Sequence, residues 1–131
     1  MRDMTDKGTD IIGSSLRERF VVSALVKLDS IDDAIDEIAA GRIDGHVAEI
    51  KRTTHTLKGM AGSFGFMSVT HISEAFELFL NDSEVAGEMD AAEAQRYSRA
   101  MRDIIESGEE PSRKETSEII TGLSATAPRL N

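Results

Sequence analysis

The chain has no cysteine, no tryptophan, one tyrosine and only two prolines. Without cysteine there can be no disulfide, no thiolate metal site and no thiol nucleophile. No apolar run approaches the roughly 20 residues that a membrane-spanning helix needs. The opening stretch, Met1 to Gly13, carries Asp3, Asp6, Lys7 and Asp10 and lacks the apolar centre of a secretory signal. The expected setting is therefore cytoplasmic. Fifteen Lys and Arg face 24 Asp and Glu, a net charge of -9, which disfavours nucleic acid or an anionic membrane as a partner. Both prolines, Pro111 and Pro128, fall near the C-terminus, so residues 14–107 run free of that helix breaker.

What is present is helical periodicity. A chain of 131 residues with 40% hydrophobic content suits one domain with a real core. Ser15 and Glu18 form a capping-box pattern, predicting a first helix over Leu16–Ala40 with Leu16, Phe20, Ala24, Leu28, Ile31, Ile35 and Ile38 on one face. Gly41 is its expected stop. Asp44 is the expected cap of a second helix whose seam is Val47, Ile50, Thr54, Leu57, Ala61 and Phe64, with Gly65 ending it. Ser68 is expected to cap a third helix carrying Val69, Ile72, Phe76, Phe79 and Leu80, fading from Asn81 to Gly87. Asp90, with Glu93 three residues on, opens a fourth, closed by Gly108.

The expected fold is all-α: an up-and-down antiparallel four-helix bundle over residues 14–108, with room for short extra N- or C-terminal helices. Residues 1–13 are expected to be a flexible segment. Residues 109–131 form a polar tail or a short helix around Ile119, Ile120 and Leu123.

One segment concentrates chemistry, from His55 to Phe66. His55 is one step past the seam residue Thr54, hence rotated by about 100° toward the rim of the bundle. Lys58, Gly59 and Gly62 share its face, as does Lys51 one turn back, with Arg52 adjacent. Each glycine in a helix costs about 1 kcal/mol relative to alanine. Beside a histidine, glycines clear space for something to approach the ring. A basic patch around one imidazole, in an acidic protein, suits a negatively charged group attached there. Each feature alone has an ordinary reading: an idle surface histidine, glycines that let helices pack closely, cations on a solvated face. Their common face is what argues for function. His46 and His71 read as surface or structural positions, and the three histidines show no HxxxH or HExxH metal spacing.

The pattern His55-x-x-Lys58-Gly59-x-Ala61-x-x-x-Gly65 resembles the signature of histidine phosphotransfer (HPt) domains. Phe64-Gly65-Phe66 makes it similar to the N-terminal phosphotransfer domain of chemotaxis histidine kinases. Met60 departs from the pattern, which usually has a small residue there. The resemblance implies that His55 is phosphorylated through Nε2, that Lys58 offsets the phosphoryl charge and that Gly59 leaves room for it. It implies that Glu77 hydrogen-bonds the other ring nitrogen. Glu74, one turn earlier, is a second candidate, at a position where some relatives carry another histidine.

The implied role is a phosphocarrier of a two-component phosphorelay. Its partners would be a sensor histidine kinase and response-regulator receiver domains. It would have no ATP-dependent kinase activity and no cofactor or metal of its own, Mg²⁺ being held by the partner receiver. A monomeric, stand-alone shuttle is expected from a chain that runs from Met1 to shortly past the bundle. Three rivals remain open: an excised chemotaxis-kinase domain, a helical adaptor whose histidine is never phosphorylated, and a hydrolase using His55 as a general base.

Overall fold

A computed structural model describes the backbone of residues 3–125 and the side chains of residues 15–123. Among them are five α-helices and no strand: α1 Asp3–Ala39, α2 His46–Ala61, α3 Met67–Ala86, α4 Ala91–Ser107 and α5 Arg113–Ala125, with a 3₁₀ turn at Gly62–Phe64. α1 packs against α2 and α4, α2 against α3, and α3 against α4, so these four helices enclose one core, while α5 lies against α3 and α4.

The apolar stripes become that core. Phe20, Ala24, Leu28, Ile31, Ile35 and Ile38 of α1 are buried, as are Val47, Ile50, Thr54, Leu57 and Ala61 of α2 and Ala94, Tyr97, Met101, Ile104 and Ile105 of α4. Val69, Ile72, Phe76 and Leu80 of α3 meet them. Phe76 stacks on Tyr97 with ring centroids 5.0 Å apart, and Phe20 stacks on Phe64 at 4.8 Å, offset contacts that add to simple area burial. Leu16, the first residue of the predicted stripe, is instead 47% exposed.

Three helix starts differ from those the sequence predicts. α1 begins at Asp3, so Ser15 and Glu18 lie inside it; a capping box acts only where backbone N–H groups lack partners, which an interior turn does not offer. α2 is capped by Gly45, not Asp44, with φ of 79° and no side-chain cap, because the link from α1 turns through left-handed glycines at Gly41 and Gly45. α3 starts after Phe66 rather than at a Ser68 cap. Phe66 is fully buried beneath the Arg17 guanidinium, 4.6 Å from the ring centre, and that anchoring sets where the helix can begin. Ser68 sits in the first turn, and its backbone N–H donates to Glu110 Oε2 at 2.8 Å. A carboxylate from the α4–α5 link thus performs the capping, at the helix end where negative charge is favourable. α3 also persists through Asn81 to Ala86 and closes on Gly87, since Leu80 and Ser83 remain buried.

At α4 the prediction holds: the Asp90 side chain accepts from the Glu93 N–H, and Gly108 closes the helix. The tail resolves into α5. Glu115 N–H donates to Ser112 Oγ at 3.0 Å and Ser112 N–H to Glu115 Oε1 at 2.8 Å, a reciprocal box immediately after Pro111. Thr116 and Leu123 are buried, with Ile119 and Ile120 packed against the core. Ser112→Ala removes one half of the box. It should speed amide hydrogen exchange in α5, most at Ile119 and Ile120, and leave exchange in α2 unchanged; equal exchange in the two proteins would show that α5 is held by its apolar face alone.

Candidate functional site

His55 emerges where the α2 register places it. Thr54 is fully buried, and the next residue turns outward, leaving the His55 side chain 71% exposed. Its Nδ1 lies 3.1 Å from Oε2 of Glu77 on α3. The other carboxylate oxygen of Glu77 accepts from Lys58 Nζ at 2.7 Å. One half-buried carboxylate therefore binds an imidazole and an ammonium, three residues apart on the facing helix.

The charge state of Glu77 decides the state of the ring. Burial alone would raise its pKa. Hydrogen bonds from Lys58 and His55, reinforced by their charges, outweigh burial and hold the carboxyl below its ordinary value of 4.5. An ionised carboxylate can only accept hydrogen bonds, so the proton in the contact sits on Nδ1. In neutral imidazole this leaves the lone pair on Nε2, the nitrogen facing outward. The site thus presents a nucleophile with its tautomer fixed and a carboxylate placed to stabilise positive charge as the ring reacts.

Two further contacts hold α2 and α3 in this alignment. Thr70 Oγ1 donates to the Lys58 carbonyl at 3.0 Å, and Lys51 Nζ pairs with Glu84 at 2.8 Å. Thr70, Glu77 and Glu84 are spaced by seven residues, one stripe of α3. Their partners descend along α2 as the stripe ascends α3, so these two helices run antiparallel. The sequence reading missed Thr70 and Glu84; the seven-residue repeat of polar residues was the signal available.

The other expected site residues separate. Glu74 hydrogen-bonds His71 at 3.3 Å, while the carboxylate on His55 is that of Glu77; Glu74 and His55 both line one open depression of about 820 Å³. His46 pairs with Glu49 at the start of α2. The two glycines also differ. A Cβ added to Gly59 meets nothing within 4 Å, whereas one at Gly62 would come within 3.0 Å of the Met67 methyl and 3.5 Å of Thr70 Oγ1. Gly62 therefore permits close packing of the α2 end on α3, and only Gly59 leaves open space beside His55. Among the described residues, no group of three His, Asp or Glu is arranged to hold a metal ion, and no helix is long and apolar enough to cross a membrane.

Gly59→Ala should raise stability by about 0.5–1 kcal/mol, since it improves an exposed helix position without a clash. Gly62→Ala should gain less, because the exposed Met67 side chain must move; urea denaturation compares them, and the reverse order would contradict the assigned spaces. For Glu77 the sign follows from its lowered folded pKa. Its contribution is complete above the ordinary carboxylate value and is lost as pH falls through the lower folded one. The stability gap between wild type and Glu77→Gln, measured in urea at neutral pH, should therefore close on acidification below about pH 4; a gap that persists there would mean the carboxylate charge was not its source.

Comparisons of the chain with curated proteins and with solved structures gave no match. A family model described as Hpt domain matches residues 15–122, a span that takes in all of the site and the greater part of every helix around it. With an exposed, carboxylate-oriented imidazole on α2 and open space one turn beyond it, the chain belongs to the Hpt domain family, whose members carry phosphoryl groups on histidine in phosphorelays.

Proposed function

We propose that this protein accepts a phosphoryl group on Nε2 of His55 and exchanges it with the aspartate of a response-regulator receiver domain. The observation that carries the reading is the Nδ1 contact to Glu77 at 3.1 Å on a ring that is 71% exposed. When the donor is a phosphorylated receiver, the Nε2 lone pair attacks phosphorus, an N–P bond forms, the P–O bond to the aspartyl carboxyl breaks and aspartate leaves with the electron pair. The Nδ1 proton stays on the ring, and the positive charge that develops there faces Glu77. Lys58 keeps Glu77 ionised and lies one turn from the incoming phosphoryl group. Gly59 leaves room for that group and for the backbone of the partner.

Phosphoryl transfer depends mainly on positioning and charge neutralisation, so a shallow site suffices when the partner brings the aspartate and its Mg²⁺. A sensor histidine kinase is the other expected partner, and the chain itself works as a carrier without ATP chemistry. The surface beside His55 suits transient docking: Leu78 on α3 is 67% exposed, and Val26 on α1 is 61% exposed with Val22 one turn earlier. The short links between α1 and α4 favour an up-and-down antiparallel order for the whole bundle, and the α2–α3 pairing fits it. The protein is proposed to act as a cytoplasmic monomer.

The test is incubation with candidate kinases and receivers, following labelled phosphate. Label should be acid-labile and alkali-stable, and absent from His55→Gln, which should retain full helicity. Loss of a charge-assisted hydrogen bond of about 1.5–3 kcal/mol at the transition state corresponds to roughly 10- to 100-fold in rate. Glu77→Ala should therefore slow labelling by that factor, while Glu74→Ala has a smaller effect. Label that persists in His55→Gln would refute the assignment, and a larger effect at Glu74 would place the orienting carboxylate wrongly.

A further inference from the structure

Four cations surround the His55 face: Lys27 on α1 and Lys51, Arg52 and Lys58 on α2. Three are engaged. Lys27 donates to Ser23 Oγ at 2.9 Å, Lys51 pairs with Glu84 at 2.8 Å, and Lys58 pairs with Glu77 at 2.7 Å. Among the described residues the Arg52 guanidinium meets no carboxylate, and its side chain is exposed. It lines the depression that holds His55, and also the adjoining groove with Val26, Lys27 and Thr56.

Arg52 lies three residues before His55, on the neighbouring position of the same helix face. A helical side chain leans toward the N-terminal turn, so the His55 ring extends over the turn from which Arg52 and Lys51 project. Lys58 faces a conflict that Arg52 does not. Moving its ammonium onto a phosphoryl group would take from Glu77 the hydrogen bond that helps keep that carboxylate ionised beneath Nδ1. Glu74 and Glu77 already place two negative charges around the depression, and a phosphoryl group adds more. A planar guanidinium, always charged and able to donate two parallel N–H bonds, suits phosphoryl oxygens better than a single ammonium.

We propose that Arg52 is the residue that binds the phosphoryl group on His55, while Lys58 acts mainly through Glu77. The inference rests on His55 being the phosphorylated residue and adds which cation receives the charge.

Phosphoramidate, a small donor that needs no partner protein, separates phosphoryl binding from docking. Nε2 attacks its phosphorus, the donor P–N bond breaks and ammonia leaves. Arg52→Gln should lower the labelling rate of the full chain by about three- to tenfold, the range of a lost hydrogen bond of roughly 1 kcal/mol. The phosphoryl group on the labelled protein, followed by its ³¹P shift against pH, should titrate at higher pH in Arg52→Gln than in wild type. Arg52→Lys should restore part of both effects, and Lys58→Gln should move the titration less than Arg52→Gln. Wild-type labelling with an unchanged rate and titration in Arg52→Gln, or a larger titration shift in Lys58→Gln, would overturn the assignment of Arg52 alone. A wild-type protein that takes no label would overturn the phosphotransfer reading and this inference with it.

Discussion

The Glu77 carboxylate joins the reactive ring to the rest of the molecule. One oxygen accepts from Nδ1 of His55 and the other from Nζ of Lys58, and each bond supports the other. Lys58 helps keep the carboxylate ionised against its partial burial. The ionised carboxylate then selects the tautomer that exposes a basic Nε2. Were Glu77 neutral, its hydroxyl could donate to Nδ1 instead, placing the ring proton on the outward nitrogen and removing the nucleophile without moving a heavy atom. The chemistry therefore depends on α2 and α3 being held at a fixed register, and the contacts of Thr70 with the Lys58 carbonyl and of Lys51 with Glu84 secure that register on either side of the site.

Much of this was legible in the sequence because it follows from local periodicity. The apolar stripes placed Thr54 inside and His55 at the rim by counting steps of about 100°, and the structure buries the first and exposes the second. Caps were less legible, because backbone turns and distant residues can supply them. Asp44 yields to a left-handed glycine one residue later. Ser68 is satisfied by Glu110, 42 residues away, a pairing that no window around Ser68 contains. The Ser15 and Glu18 pattern fits a helix start, yet nothing from Asp3 onward interrupts α1. For residues 109–131 the sequence left a polar tail and a short helix both open; the Ser112 and Glu115 box, fully local and just after a proline, is the signal that favours the helix. Glu77 and Glu74 both came from the family resemblance; taken alone, the two residues read as solvated helix surface, and the facing helix is what distinguishes them.

Charge is distributed to match this chemistry. The chain is acidic overall at -9, yet cations gather along the α1 and α2 surfaces beside His55. A strongly negative protein repels other anions in general, which limits unproductive encounters, while a local positive face draws an anionic group toward one spot. The acidic residues nearest the ring are committed: Glu77 to two donors, Glu84 to Lys51, Glu74 to His71. These pairs are partly exposed, so their contribution to stability is small. Their larger effect is on geometry, since each engaged cation leaves fewer free to meet an incoming phosphoryl group.

The two site-proximal glycines show how stability and function can be told apart at single positions. Gly62 has a structural reason for lacking a side chain, because Met67 and Thr70 occupy the adjacent space. Gly59 has none among the described residues: its backbone is helical and a Cβ there would meet none of them within 4 Å, so alanine would fit and would strengthen the helix. A position that retains the weaker residue against its own helix propensity points to a constraint outside the folded chain. On the proposed reading that constraint is the partner: a receiver that seats the imidazole against its phosphoryl group would come close to the α2 backbone one turn past His55, where a single methyl group matters.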